Sequence, residues 1–81
     1  MARYAKETKL RPDEVLRRAE AFFGAGGLGM NVTEQNECCL SFEGSGGHVT
    51  VSAAQCEPDR TEVDLETREW DYHVKRFMEG L

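Results

Sequence analysis

Three groups of residues in this sequence are of types that do chemistry. The first is Gly24-Ala25-Gly26-Gly27-Leu28-Gly29, which matches the G-x-G-x-x-G pattern of dinucleotide-binding turns letter for letter. That pattern works where a strand runs into a helix, because the helix N-terminus offers free N–H groups and a positive dipole end to a pyrophosphate. Here the glycines follow a helical periodicity and precede a strand-like one, so they meet the negative end. They read as a helix cap and a connector. Gly44-Ser45-Gly46-Gly47 likewise reads as a four-residue hairpin loop whose glycines supply positive φ.

The second group is the cysteines Cys38, Cys39 and Cys56. Three thiols, two of them adjacent, do not make the disulfide framework of a small secreted domain, and the expected location is cytoplasmic. Strand alternation puts Cys38 in the core as a small hydrophobe and Cys39 on the opposite face, so the two thiols should point apart. Cys56 falls at the start of a loop. Neither Cys39 nor Cys56 lies at a helix N-terminus or in a C-x-x-C unit that would lower a thiol pKa. The third group is Glu43 opposite His48, with Cys39 on the same outward face. One carboxylate, one imidazole and one thiol on a flat sheet do not enclose an ion, and His73 belongs to a helix flank. No nucleophile elbow and no Ser/His/Asp order is present. The expectation is a protein with no catalytic, cofactor-binding or metal-ligating residues; a thiol or metal protein using Cys39 and Cys56 is the outlying alternative.

The elements that must position these residues are legible from periodicity. Leu28–Thr33, Cys38–Glu43, His48–Gln55 and Thr61–Glu66 alternate apolar and polar with the period of a strand. Pairing Phe42 with Val49, Met30 with Leu40 and Ala53 with Val63 keeps every apolar set on one face, which predicts a four-stranded antiparallel meander. Before it, Pro12 opens a helix with Asp13 and Glu14 in its first turn, and Val15, Leu16, Ala19, Phe22 and Phe23 form its apolar stripe up to the Gly24 cap. After it, Trp70, Val74, Phe77, Met78 and Leu81 form a second stripe, starting either from a Thr67 cap or, with the strand running on to Trp70, at Asp71. Residues 1–9 carry only Tyr4 as a large apolar group and read as a flexible tail. The predicted fold is a single small α+β domain over 1–81. Its two layers have the order α-β-β-β-β-α, with both helices on one sheet face.

Length and charge bound the function. A core in 81 residues leaves a margin of about 3–5 kcal/mol. The net charge of −5 opposes nucleic-acid binding, and no apolar run reaches membrane-spanning length. Glu62, Asp64 and Glu66 alternate along the last strand as a solvated edge would, where charge discourages aggregation. The rest of the outward face is made mostly of small, weakly polar groups, Asn31, Thr33, Cys39, Ser41, Thr50, Ser52 and Ala54, with His48 beside them. Such a face lets a second surface approach closely, and it predicts a non-enzymatic protein-interaction module with a protein partner or a second copy, as a homodimer.

A helix, an antiparallel meander and a C-terminal amphipathic helix resemble a cut-down helix-grip ligand-binding fold. The resemblance is one of architecture and carries no functional residues with it. It implies an apolar-ligand groove between the sheet and Trp70, Val74, Phe77 and Met78, and this is the alternative function.

Overall fold

The computed structural model describes residues 2–81, leaving aside the side chains of Cys56 and Glu57. The chain runs β1 (Ala2–Thr8), α1 (Pro12–Phe23), β2 (Asn31–Gln35), β3 (Cys39–Gly44), β4 (Gly47–Glu57), β5 (Arg60–Arg68) and α2 (Asp71–Glu79). It is an α+β fold with one antiparallel sheet in the order β1-β5-β4-β3-β2. The sheet has five strands where the alternation predicted four.

The added strand is the stretch expected to be a tail. β1 pairs with β5 from Ala2↔Thr67 to Thr8↔Thr61. Of its inward positions Ala2, Tyr4, Lys6 and Thr8, only Tyr4 is a large apolar group, which is why hydrophobic periodicity does not reveal it. Tyr4 Oη donates to Asp71 Oδ2 at 2.7 Å, and Lys6 Nζ donates to the Met78 carbonyl at 2.8 Å. One strand thus grips both ends of α2, with a cation at the helix C-terminus where the dipole favours it. The consequence for β5 is large: it lies between β1 and β4 and is not an edge.

Helix α1 has the predicted bounds. Val15, Ala19 and Phe23 are buried, while Arg17 and Arg18 reach back to Glu14 on the solvent side. The glycine run then folds onto the helix end. Leu28 N–H donates to the Phe22 carbonyl, Met30 N–H to the Phe23 carbonyl, and Gly27 and Gly29 N–H to the Gly24 carbonyl. These donors satisfy the carbonyls a helix terminus leaves open.

That cap also corrects the register of β2. With Leu28 and Met30 held by the helix, the strand starts at Asn31, and Val32 sits opposite Phe42 where the alternation paired Met30 with Leu40. A bulge between Val32 and Glu34 then resets the pairing to Gln35↔Leu40. Leu28 and Val32 are exposed, while Met30 still reaches the core. The other registers hold: Phe42↔Val49, Leu40↔Val51 and Ala53↔Val63. The β3–β4 hairpin is tighter than predicted, since Gly44 and Gly47 still pair and the turn is Ser45-Gly46 with Gly46 at φ 75°.

At the other end the strand runs on through Arg68, Glu69 turns the chain at φ 72°, and α2 starts at Asp71. This is the later of the two starts the sequence allows. The core lies between the helices and the inner sheet face. Phe23 joins the layers, with ring centroids 5.5 Å from Phe42 and 5.3 Å from Phe77.

Candidate functional site

Both helices cover the same side of the sheet, and among the described residues nothing covers the other side. The antiparallel pairings arrange that uncovered face in rows across the strands. One row runs Arg3, Glu66, Thr50, Ser41, Glu34, and the next runs Ala5, Asp64, Ser52, Cys39. A third holds Arg68, His48, Glu43 and Asn31, and Glu7, Glu62 and Ala54 line up on the far side. Thr33, at the β2 bulge, joins Ser41, His48, Thr50 and Arg68 around a shallow hollow of about 470 Å³. The predicted face residues Asn31, Thr33, Cys39, Ser41, His48, Thr50 and Ser52 are therefore brought together on one surface.

Their geometry is that of a self-satisfied flat strip. Ser41 Oγ and Thr50 Oγ1 are 3.3 Å apart, and Cys39 Sγ and Ser52 Oγ are 3.5 Å apart. His48 Nε2 stands 3.9 Å from Glu66 Oε1, a diagonal neighbour, rather than pairing with Glu43 opposite. Among the described residues no cluster of three or more His, Cys, Asp and Glu side chains could hold a metal ion.

What the alternation did not place is the charge. Glu62, Asp64 and Glu66 stand on an interior strand, beside the neutral strip. Among the described side chains the face sets Glu7, Glu34, Glu43, Glu62, Asp64 and Glu66 against Arg3, Arg60 and Arg68, a balance of −3. Glu7 is partly neutralised by Arg60 at 3.2 Å. The sequence showed the acidic alternation on β5, but its neighbour β1 carries no signal of its own, so the acidic strand read as an edge.

The four residues of the predicted ligand groove fall in different surroundings. Val74 and Phe77 are buried in the core, and Met78 packs at its margin. Trp70 also packs at the margin of the core and lies against the hairpin: a Cβ on Gly44 would stand 2.7 Å from Trp70 Cζ2, and one on Gly47 would stand 2.8 Å from Trp70 Cδ1. Glycine at both positions is what lets the indole seat there. Trp70 Nε1 and His73 Nδ1 are buried with no hydrogen-bond partner among the described residues. Beside Phe77, a cleft of about 200 Å³ opens between α1 and α2, lined also by Arg18, Phe22, Arg76, Gly80 and Leu81.

The cysteines depart from expectation for a local reason. Asn36 Oδ1 accepts hydrogen bonds from the N–H groups of both Cys38, at 3.0 Å, and Cys39, at 2.8 Å. This side-chain turn takes Cys38 out of the strand and so breaks the alternation that would have buried it. Cys38 is exposed, and its Sγ lies 3.5 Å from Cys39 Sγ instead of pointing away. The Cys38 pKa is raised, first by its hydrogen bond with Cys39, then by the Cys39 charge, a slight loss of hydration and the nearby Glu37. The side chain of Cys56, the other thiol of the predicted pair, lies outside the described residues.

No protein-family model matches this chain, and no curated protein compared with it is similar to it. No helix among the described residues is long and apolar enough to cross a membrane.

Proposed function

We propose that this protein is a small, non-enzymatic interaction module whose uncovered sheet face docks a protein partner presenting basic side chains. The observation that supports this reading most is the placement of β5. Glu62, Asp64 and Glu66 project from the interior of an uncovered sheet, beside a strip of Cys39, Ser41, Thr50 and Ser52 smooth enough for close approach. Carboxylates at an edge repel other edges; carboxylates within a flat face recruit opposite charge. A second copy would present the same acidic face, and nucleic acid would be repelled by it.

Size sets the strength. Five strands span four gaps of about 4.8 Å, and some 20 Å of strand length gives a footprint on the order of 400 Å². That is about half of the ~800 Å² per partner of a standard interface. The interaction expected is therefore transient and strongly salt-dependent.

The test uses a defined lysine- and arginine-rich peptide titrated into labelled protein while amide shifts are followed. Shifts concentrated at Ser41, Thr50, Ser52, Asp64 and Glu66, abolished by salt and by the double change Asp64→Lys and Glu66→Lys, are the expected result. Shifts scattered over the helices, or unchanged in the reversed-charge variant, would sink the reading. Native mass spectrometry of the same sample measures self-association, and a stable dimer that Ser52→Lys breaks would assign the face to a second copy instead.

A further inference from the structure

We infer that Cys38 and Cys39 form a vicinal dithiol that a low-molecular-weight disulfide oxidises, reversibly, to a Cys38–Cys39 disulfide. Neighbouring residues of a strand present their side chains to opposite faces, and two thiols so placed cannot meet. Here the Asn36 side chain holds both cysteine N–H groups on one oxygen, and the Asn36 N–H donates to the Cys39 carbonyl at 3.0 Å. The turn fixed by these three bonds leaves the sulfurs 3.5 Å apart, with Cys38 exposed and Cys39 half-buried. Both are reachable from solvent, unlike a cysteine sealed in the core.

The exchange balances within the pair and the oxidant. Cys39 Sγ, as the thiolate, attacks one sulfur of the small disulfide. The S–S bond of the oxidant breaks, one thiolate leaves and takes up a proton, and a mixed disulfide remains on Cys39. Cys38 then loses its proton and attacks Cys39 Sγ, expelling the second small thiol. Two electrons and two protons have passed from the dithiol to two molecules of thiol.

Reversibility follows from covalent geometry. Consecutive Cα atoms are about 3.8 Å apart across a trans peptide, shorter than the roughly 4.4–6.8 Å that ordinary disulfides span. The bond formed is strained, and strained disulfides are the readily reduced ones. Closing it also draws Cys39 Sγ away from Ser52 Oγ, its neighbour on the sheet face. A change in partner docking on oxidation would follow, and that consequence alone rests on the docking function proposed for the sheet face.

The experiment treats folded Cys56→Ser protein with oxidised glutathione, then with iodoacetamide, and maps the peptides by mass. The expected product is a monomer whose 38–39 peptide has lost two hydrogen atoms, carries no alkyl group and recovers both alkylation sites after reduction. Phenylarsine oxide, which bridges paired thiols, should protect both cysteines from alkylation, and Cys38→Ser or Cys39→Ser should abolish that protection. Full alkylation of both thiols after oxidation, a persistent glutathione adduct, or disulfide-linked dimers would each overturn the inference. Every readout is a covalent mass on the protein alone, so failure here is separate from failure of the docking function.

Discussion

Gly44→Ala should destabilise this protein only while Trp70 is present. A Cβ at residue 44 would stand 2.7 Å from Trp70 Cζ2, 3.3 Å from Trp70 Cε2 and 3.2 Å from Met30 Cε. Carbon atoms in good contact lie about 3.5–4.0 Å apart, so the indole must withdraw by about 1 Å. Overpacking of that kind costs about 1–3 kcal/mol, against about 0.5–1 kcal/mol gained because alanine loses less backbone freedom than glycine. The net loss expected is about 1–2 kcal/mol. In a Trp70→Leu background the six-membered ring is gone and the Met30 terminus is flexible, so the same change becomes neutral or favourable by up to about 1 kcal/mol. The coupling, about 1–3 kcal/mol, stands well above the roughly 0.3–0.5 kcal/mol within which independent sites add. Gly47→Ala is the control: its Cβ would overlap the Arg68 carbonyl oxygen, a backbone atom present in both backgrounds, so its penalty persists. Urea unfolding of the variants should be followed by far-UV circular dichroism, since Trp70 is the sole tryptophan. An equal cost of Gly44→Ala in both backgrounds would show that the indole does not seat on the hairpin.

The grip of β1 on α2 is open to test at two points. Lys6→Met should cost about 1 kcal/mol in urea unfolding by removing the bond to the Met78 carbonyl, and no loss would mean that β1 does not anchor the helix. The Tyr4 phenol is held above its ordinary value of 10.0, first by its hydrogen bond to Asp71, then by partial burial and the Asp71 charge. A proton held more tightly in the folded state stabilises fully below the unfolded phenol pKa and is lost as pH rises through the higher folded value. Urea midpoints should therefore fall above about pH 10 in the parent and fall less in Tyr4→Phe; parallel curves would refute the Tyr4–Asp71 contact. Glu69 sits at φ 72°, where a side chain costs about 1–2 kcal/mol. Glu69→Gly should raise the melting temperature and Glu69→Val lower it, and the opposite order would deny the left-handed turn. Asn36→Ala removes the shared acceptor of two N–H groups and should speed hydrogen exchange at the Cys38 and Cys39 amides, which unchanged rates would contradict.

The features determined by sequence alone are those whose causes are local or periodic. Pro12, the acidic first turn and Gly24 bound α1 because each acts on the few backbone groups beside it. The register of β3, β4 and β5 follows from parity, since slipping any of them by one residue would expose its whole apolar set. The small polar face was legible for the same reason. Tertiary structure decided the rest. β1 is a strand because its backbone pairs along β5, and its Tyr4 and Lys6 find partners at the two ends of α2, 67 and 72 residues away. No window of sequence contains both halves of such a contact. Docking β1 turned the acidic β5 from an edge into the interior of an open face, and so changed what its charges can do. Asn36 overrode the alternation at Cys38 because its side-chain oxygen draws the N–H groups of both Cys38 and Cys39 into a local turn. Periodicity reports which side chains prefer burial; it cannot report which polar groups will meet across the fold.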